Sequence, residues 1–117
     1  MIGDISGAKK LYVVTGYTDM RKSIDGLMAI VKDTYEMDPD ASVAYFFCGR
    51  KADRIKVLHF ERDGMCLLYK RLDSGRYRWP RDRSEALELS RQQLRWLMEG
   101  LEIEQKTAIP AAGKRDF

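Results

Sequence analysis

The chain is predicted to fold as a single α+β domain, and three observations carry that prediction. Two apolar stripes at helical spacing lie near its ends, at Met20–Tyr35 and Leu94–Leu101. Between them, runs rich in β-branched and aromatic residues are joined by tight-turn signals too short to be crossovers. No repeat or linker divides the 117 residues, which is a one-domain length. The expected order β-α-β-β-β-β-α argues for a mostly antiparallel β-meander with two helices packed on one face. The other face would then be free for solvent or a partner. The domain is expected to span residues 1–104, with residues 105–117 forming a mobile tail without periodicity.

Each element has its own justification. Lys10 to Thr15 (KLYVVT) is a short β-branched and aromatic run, the first strand. Gly16-Tyr17-Thr18-Asp19 turns the chain, and Thr18 or Asp19 is suited to cap a helix. Met20, Ile24, Leu27, Met28, Val31 and Tyr35 then form one helical stripe, with Arg21, Lys22, Asp25 and Lys32 on the remaining surface. Gly26 weakens this helix by up to ~1 kcal/mol relative to Ala, a cost that suggests close approach by a neighbouring element. Met37-Asp38-Pro39-Asp40 is expected to end it.

Val43 to Cys48 (VAYFFC) has no polar member, which suits a strand covered on both faces. Arg54–Glu61 follows the polar loop Gly49–Asp53, and Met65–Leu72 returns after a hairpin turn at Arg62-Asp63-Gly64. Asp-Gly readily supplies the positive φ values of the tightest hairpin turns. Asp73-Ser74-Gly75 is a second turn, and Arg76-Tyr77-Arg78-Trp79 alternates strictly before Pro80. Alternation would place both arginines on one strand face and both aromatics on the other. Ser90 opens the last helix, with Gln93 completing a capping box and Gly100 marking the end.

Composition narrows the function classes. Hydrophobic residues make up 44% and charged residues 33%, as expected of a soluble globular protein rather than a disordered or membrane-embedded one. No apolar stretch approaches the roughly 20 residues of a spanning helix, and the N-terminus lacks a signal-like apolar core. A cytoplasmic location is expected. Cys48 and Cys66 sit inside apolar runs and read as buried, reduced thiols. Two cysteines and one histidine cannot supply four zinc ligands, so no metal is expected. No glycine-rich phosphate loop implies a nucleotide, and no cofactor is expected.

Charge is the strongest functional signal. Between Gly49 and Arg83, eleven Lys and Arg face five Asp and Glu, a net of +6 in a chain whose total is +3. Everything outside this run therefore sums to −3. Positive charge gathered on one surface steers polyanions, and aromatics among the basic residues suit nucleic acid.

The residues GYTDMRKSIDGL (16–27) and GRKADRIKVLHFERDGMCLLYKRLDSGRYRWP (49–80) resemble one family. They are similar to the TnpB-type, or Orf2-like, accessory proteins of bacterial insertion-sequence family sixty-six. The first block carries Thr18, Asp19, Met20, Arg21, Lys22, Ile24, Asp25, Gly26 and Leu27. The second carries Gly49, Arg50, Asp53, Arg54, Lys56 and Leu58. In the third are Gly64, Leu67, Lys70, Arg71, Leu72, Gly75, Arg76, Tyr77, Trp79 and Pro80. The resemblance covers roughly residues 10–103. It implies a protein encoded beside a separate transposase and assisting movement of a mobile element. A much larger RNA-guided nuclease shares the TnpB name, and this chain is too short to hold its activity.

DNA and proteins of the same element, above all the transposase, are the expected partners. Phosphate contact is assigned to Arg50, Lys51, Arg54, Lys70, Arg71, Arg76 and Arg78. The competing reading makes these ordinary solvated strand and loop positions. Arg21 and Lys22 would lie in the first helical turn, either contacting phosphate or neutralised by Asp19 and Asp25. Tyr77 and Trp79 are expected in the core rather than as a stacking platform. Catalysis is not expected, because Asp19, Asp25, Asp53 and Asp63 each have a structural explanation and His59 has no nucleophilic partner. A third class is a protein–protein adaptor that recruits or stabilises the transposase without touching DNA.

Overall fold

A computed structural model describes residues 5, 7–37, 42–81 and 85–105. Strands β1 (Lys10–Val14), β2 (Val43–Cys48), β3 (Arg54–Glu61), β4 (Gly64–Arg71) and β5 (Ala86–Leu89) form one sheet in the order β4-β3-β2-β1-β5. Helix α1 (Ile24–Ala29) continues into a π-helical segment, Ile30–Thr34, and helix α2 (Arg91–Met98) follows β5. The α+β class expected from the pattern is observed.

The sheet is mixed rather than a pure meander. β1 and β2 run parallel, with Lys10 opposite Val43 and Val13 opposite Phe46. The connection between them holds α1, and a crossover of that length is what parallel neighbours need. The remaining neighbours, β2–β3, β3–β4 and β1–β5, are antiparallel. Helical and strand periodicity do not reveal which strands pair, so the parallel contact could not be read from them.

The fifth strand also lies elsewhere. Arg76-Tyr77-Arg78-Trp79 is extended but belongs to no strand, and β5 is instead the short ALEL run at Ala86–Leu89. Ala, Leu and Glu favour helices, so this run gave little strand signal; pairing with β1 overrides that preference.

The helices cover opposite faces of the sheet, not one. Alternation in β2 sends Val43, Tyr45 and Phe47 to a core with Leu27 and Val31 of the first helical segment. Ala44, Phe46 and Cys48 go to the other core, with Leu94 and Leu97 of α2. All six β2 residues are buried, as its wholly apolar sequence requires. Tyr77 and Trp79 join the α2 core at 4% and 5% exposure.

Local signals have mixed outcomes. Ser90 and Gln93 form the expected capping box, and Gly100 ends α2 at φ 82°. The first helix begins later than its stripe suggests, with Ser23 at the N-cap position and Met20-Arg21 in a turn. Arg62-Asp63 form the β3–β4 turn, but neither they nor Gly64 has positive φ, so no glycine-dependent turn is used. The expected helix stop at Asp38, Pro39 and Asp40 lies outside the described residues, as do Asp82, Arg83 and all of the tail but Gln105.

Candidate nucleic-acid interface

The Gly49–Asp53 loop is fixed by its backbone. Gly49 N–H donates to the Arg54 carbonyl at 3.1 Å, and Ala52 N–H donates to Gly49 at 2.9 Å. Tyr77 N–H reaches the Ala52 carbonyl and Leu72 N–H the Asp53 carbonyl, each at 2.7 Å. Ala52 takes a left-handed φ of 59° and is buried, holding the turn in one shape. Arg50 and Lys51 stand exposed at its apex. A Cβ on Gly49 would approach Met20 Cγ to 2.7 Å, so glycine lets the segment before α1 press against this loop.

The strand register extends the patch. Arg54 faces Arg71 directly across β3 and β4, and Lys56 faces Tyr69. These four residues share the α1 face, since Leu58 and Phe60 continue their alternation into the α1 core. Lys56 Nζ lies 5.7 Å from the Tyr69 ring centroid and donates to the Lys22 carbonyl at 2.8 Å. Lys22, Arg50, Lys51, Arg54, Lys56 and Arg71 therefore occupy one end of the domain. Asp53 pairs with Arg54 at 3.3 Å. Like charges placed opposite one another disfavour the strand pair, and one acid only partly offsets them.

Lys56, outside the set of residues expected to contact phosphate, joins this group, and its two-residue spacing from Arg54 on a strand already puts it on the same face. Lys70 does not join this group. It faces Ile55, on the α2 side of the sheet.

Arg76 and Arg78 form a second group with Arg81. They line one side of a cleft of about 770 Å³ whose other side is the Gly100–Glu104 segment. Arg78 lies 4.0 Å from Glu102. Arg81 stacks over the Tyr17 ring at 5.3 Å, a contact no sequence spacing indicates. Tyr77 and Trp79 are core residues as expected, and the Trp79 indole N–H donates to the Val14 carbonyl at 2.9 Å.

Arg21 and Lys22 precede α1 rather than occupying its first turn. Arg21 is held by Asp19, through Nη2–Oδ2 at 2.9 Å and Nε–Oδ1 at 3.1 Å, and its backbone N–H donates to the same carboxylate. The Arg21 side-chain hydrogen bonds, then its backbone N–H, hold the Asp19 carboxyl at about 2. Of the two acids expected to neutralise the Arg21-Lys22 pair, Asp19 holds Arg21, and among the described residues no ion pair joins Asp25 to it. Among the described residues no three His, Cys, Asp or Glu side chains converge on a possible metal position. Burial, with a smaller effect of Asp53, pushes the Cys48 thiol up to about 12, which leaves it a core side chain; Cys66 is half-buried.

Residues 9–108 match the family described as IS66 Orf2 like protein. The chain belongs to that family. It is 33% identical over 93 residues to the uncharacterised protein y4hO of Sinorhizobium fredii, covering 80% of this chain and 81% of that one. It is 30% identical over 102 residues to the uncharacterised y4jC of the same organism, covering 87% and 86%. No solved structure matches the chain. Membership supports an accessory role in insertion-sequence transposition. No helix among the described residues is long and apolar enough to cross a membrane.

Proposed function

We propose that this family member is a non-catalytic, cytoplasmic accessory protein that contacts DNA phosphates during transposition. The observation that carries the reading is the basic group at the Gly49–Asp53 end, where Arg54 and Arg71 oppose each other beside Arg50, Lys51 and Lys56. A phosphate backbone relieves such repulsion, and release of its counterions supplies the binding free energy. Arg76 and Arg78 extend the contact along the segment bonded to the same loop. Lys70, on the other sheet face, contributes only if the nucleic acid wraps the β4 edge. Arg21 contributes little while Asp19 holds it.

The test is fluorescence anisotropy with duplex DNA carrying the element's terminal sequence, a scrambled duplex, and a salt series. Arg50→Glu/Lys51→Glu is expected to weaken binding on the order of tenfold or more and flatten the salt slope by about two. Arg76→Glu/Arg78→Glu gives a smaller loss. Absence of binding at low salt by the intact protein would overturn direct contact. An adaptor reading would then stand in its place, favoured by the cleft with arginines on one wall and Glu102 and Glu104 on the other. Its sign is transposase capture at salt concentrations that abolish binding to DNA.

A further inference from the structure

The two edges of the sheet differ. β5 has four residues and carries Glu88, a short and charged edge of the kind that resists pairing. β4 has eight residues, and Met65-Cys66-Leu67-Leu68-Tyr69 at its centre carry no charge and no proline. Leu72 N–H bonds back to Asp53, so by the alternation of an antiparallel ladder the even-numbered β4 residues bond toward β3. Met65, Leu67, Tyr69 and Arg71 therefore turn their N–H and C=O groups outward. Among the described residues no strand meets them. Met65 and Tyr69 are also 38% and 51% exposed, a large part of the exposed bulky apolar surface.

We propose that β4 pairs antiparallel with β4 of a second copy, about a two-fold axis at Leu67, to make a continuous sheet across a homodimer. The sequence selects this register. With Leu67 opposite Leu67 of the partner, Met65 meets Tyr69, covering the two exposed apolar side chains with a sulfur–aromatic contact. Asp63 meets Arg71, twice by symmetry. Arg71 has no carboxylate partner among the described residues, and it opposes Arg54 in its own chain. A partner's Asp63 supplies the missing acid. Met65, Leu67 and Tyr69 are odd-numbered strand residues, so each apposed pair among them shares a face and directs its backbone groups into the new ladder, as an antiparallel pair requires, while Asp63 reaches the partner's Arg71 from the turn just beyond the ladder.

The proposal does not depend on DNA contact, and its test uses none. Sedimentation equilibrium of the full chain over a concentration series is expected to give twice the 13.6 kDa chain mass. Asp63→Arg and Arg71→Asp should each weaken the dimer on the order of tenfold, and the double variant should restore it. Tyr69→Pro removes an outward N–H while sparing the β3 ladder, so it should yield a monomer with unchanged circular dichroism. A wild-type monomer at all concentrations overturns the proposal. So does a dimer indifferent to Tyr69→Pro, or a pair of charge reversals that fails to restore association.

Discussion

Between Gly49 and Arg71 the basic side chains stand on a hydrogen-bonded framework of turn and strands. Between Leu72 and Arg81 they hang from an extended segment that pairs with no strand among the described residues. In the first region the ladder fixes each position, so Arg54, Lys56 and Arg71 share a face whatever their side chains do. In the second, buried aromatics do the work. Tyr77 and Trp79 enter the α2 core, Trp79 bonds Val14, and Gly16 N–H bonds the Pro80 carbonyl at 2.9 Å. Strict alternation of polar and apolar residues thus reports one-sided burial; it does not by itself report pairing. The two regions should respond differently to the loss of a side chain.

The largest expected effect breaks the second region. Trp79→Ala removes a 5% exposed ring and its indole hydrogen bond, and should destabilise the domain by about 3–5 kcal/mol in denaturant unfolding. It should also weaken any contribution of Arg76 and Arg78 to DNA binding while leaving that of Arg50 and Lys51 intact under conditions where the protein is folded. A loss below ~0.5 kcal/mol would mean that the segment is not anchored by this ring.

Much of this arrangement is legible in the sequence alone. The helical stripes located both helices, Ser90 and Gln93 identified a true capping box, and the apolar VAYFFC run marked a strand buried on both faces. That last signal already conflicts with a meander bare on one side, because a strand with no polar member needs a cover on each face. What was not legible depends on long-range pairing. Ala86–Leu89 becomes a strand only because β1 offers it an edge, and α1 reaches the far face only because the β1–β2 connection crosses over. In the candidate interface, strand period puts Arg54 and Lys56 on one face, as the register has them. The separation of Lys70 from Arg71 follows from the same period. Of the two acids that spacing offers Arg21, the structure uses Asp19 rather than Asp25, because the helical stripe extended back to Met20 overstates the helix: α1 starts only after Ser23, so Arg21 and Asp25 do not share a helical turn.

A smaller effect sharpens the junction between the regions. Gly75 sits at φ 83° with open space around its Cα, so a substitution there meets backbone strain and no clash. Gly75→Ala should cost about 1 kcal/mol. Its DNA affinity should match that of the native protein once folded, since the loop carrying Arg50 and Lys51 is held by other bonds. A change in affinity without a change in stability would instead make the turn part of the contact.

The smallest effect concerns Arg21, a cation fully displayed yet held by its neighbour. The Asp19 carboxyl is lowered in the folded state from 3.8 to about 2, chiefly by the Arg21 side chain. A depressed carboxyl stabilises the fold while ionised. That contribution is complete above pH 3.8 and is lost as the pH falls through about 2. The group is at the surface, so the loss is slight and should shrink further in salt. Carbon-detected NMR titration should find Asp19 near 2 in the native protein and close to 3.8 in Arg21→Ala. The same pair then separates a bound cation from an available one. Asp19→Asn frees Arg21 and should steepen the salt dependence of DNA binding by up to about one unit, whereas Arg21→Ala should leave it nearly unchanged. If Arg21→Ala instead flattens the slope as much as removing one of the loop cations, Arg21 reaches phosphate despite Asp19, and the interface continues onto the segment before α1.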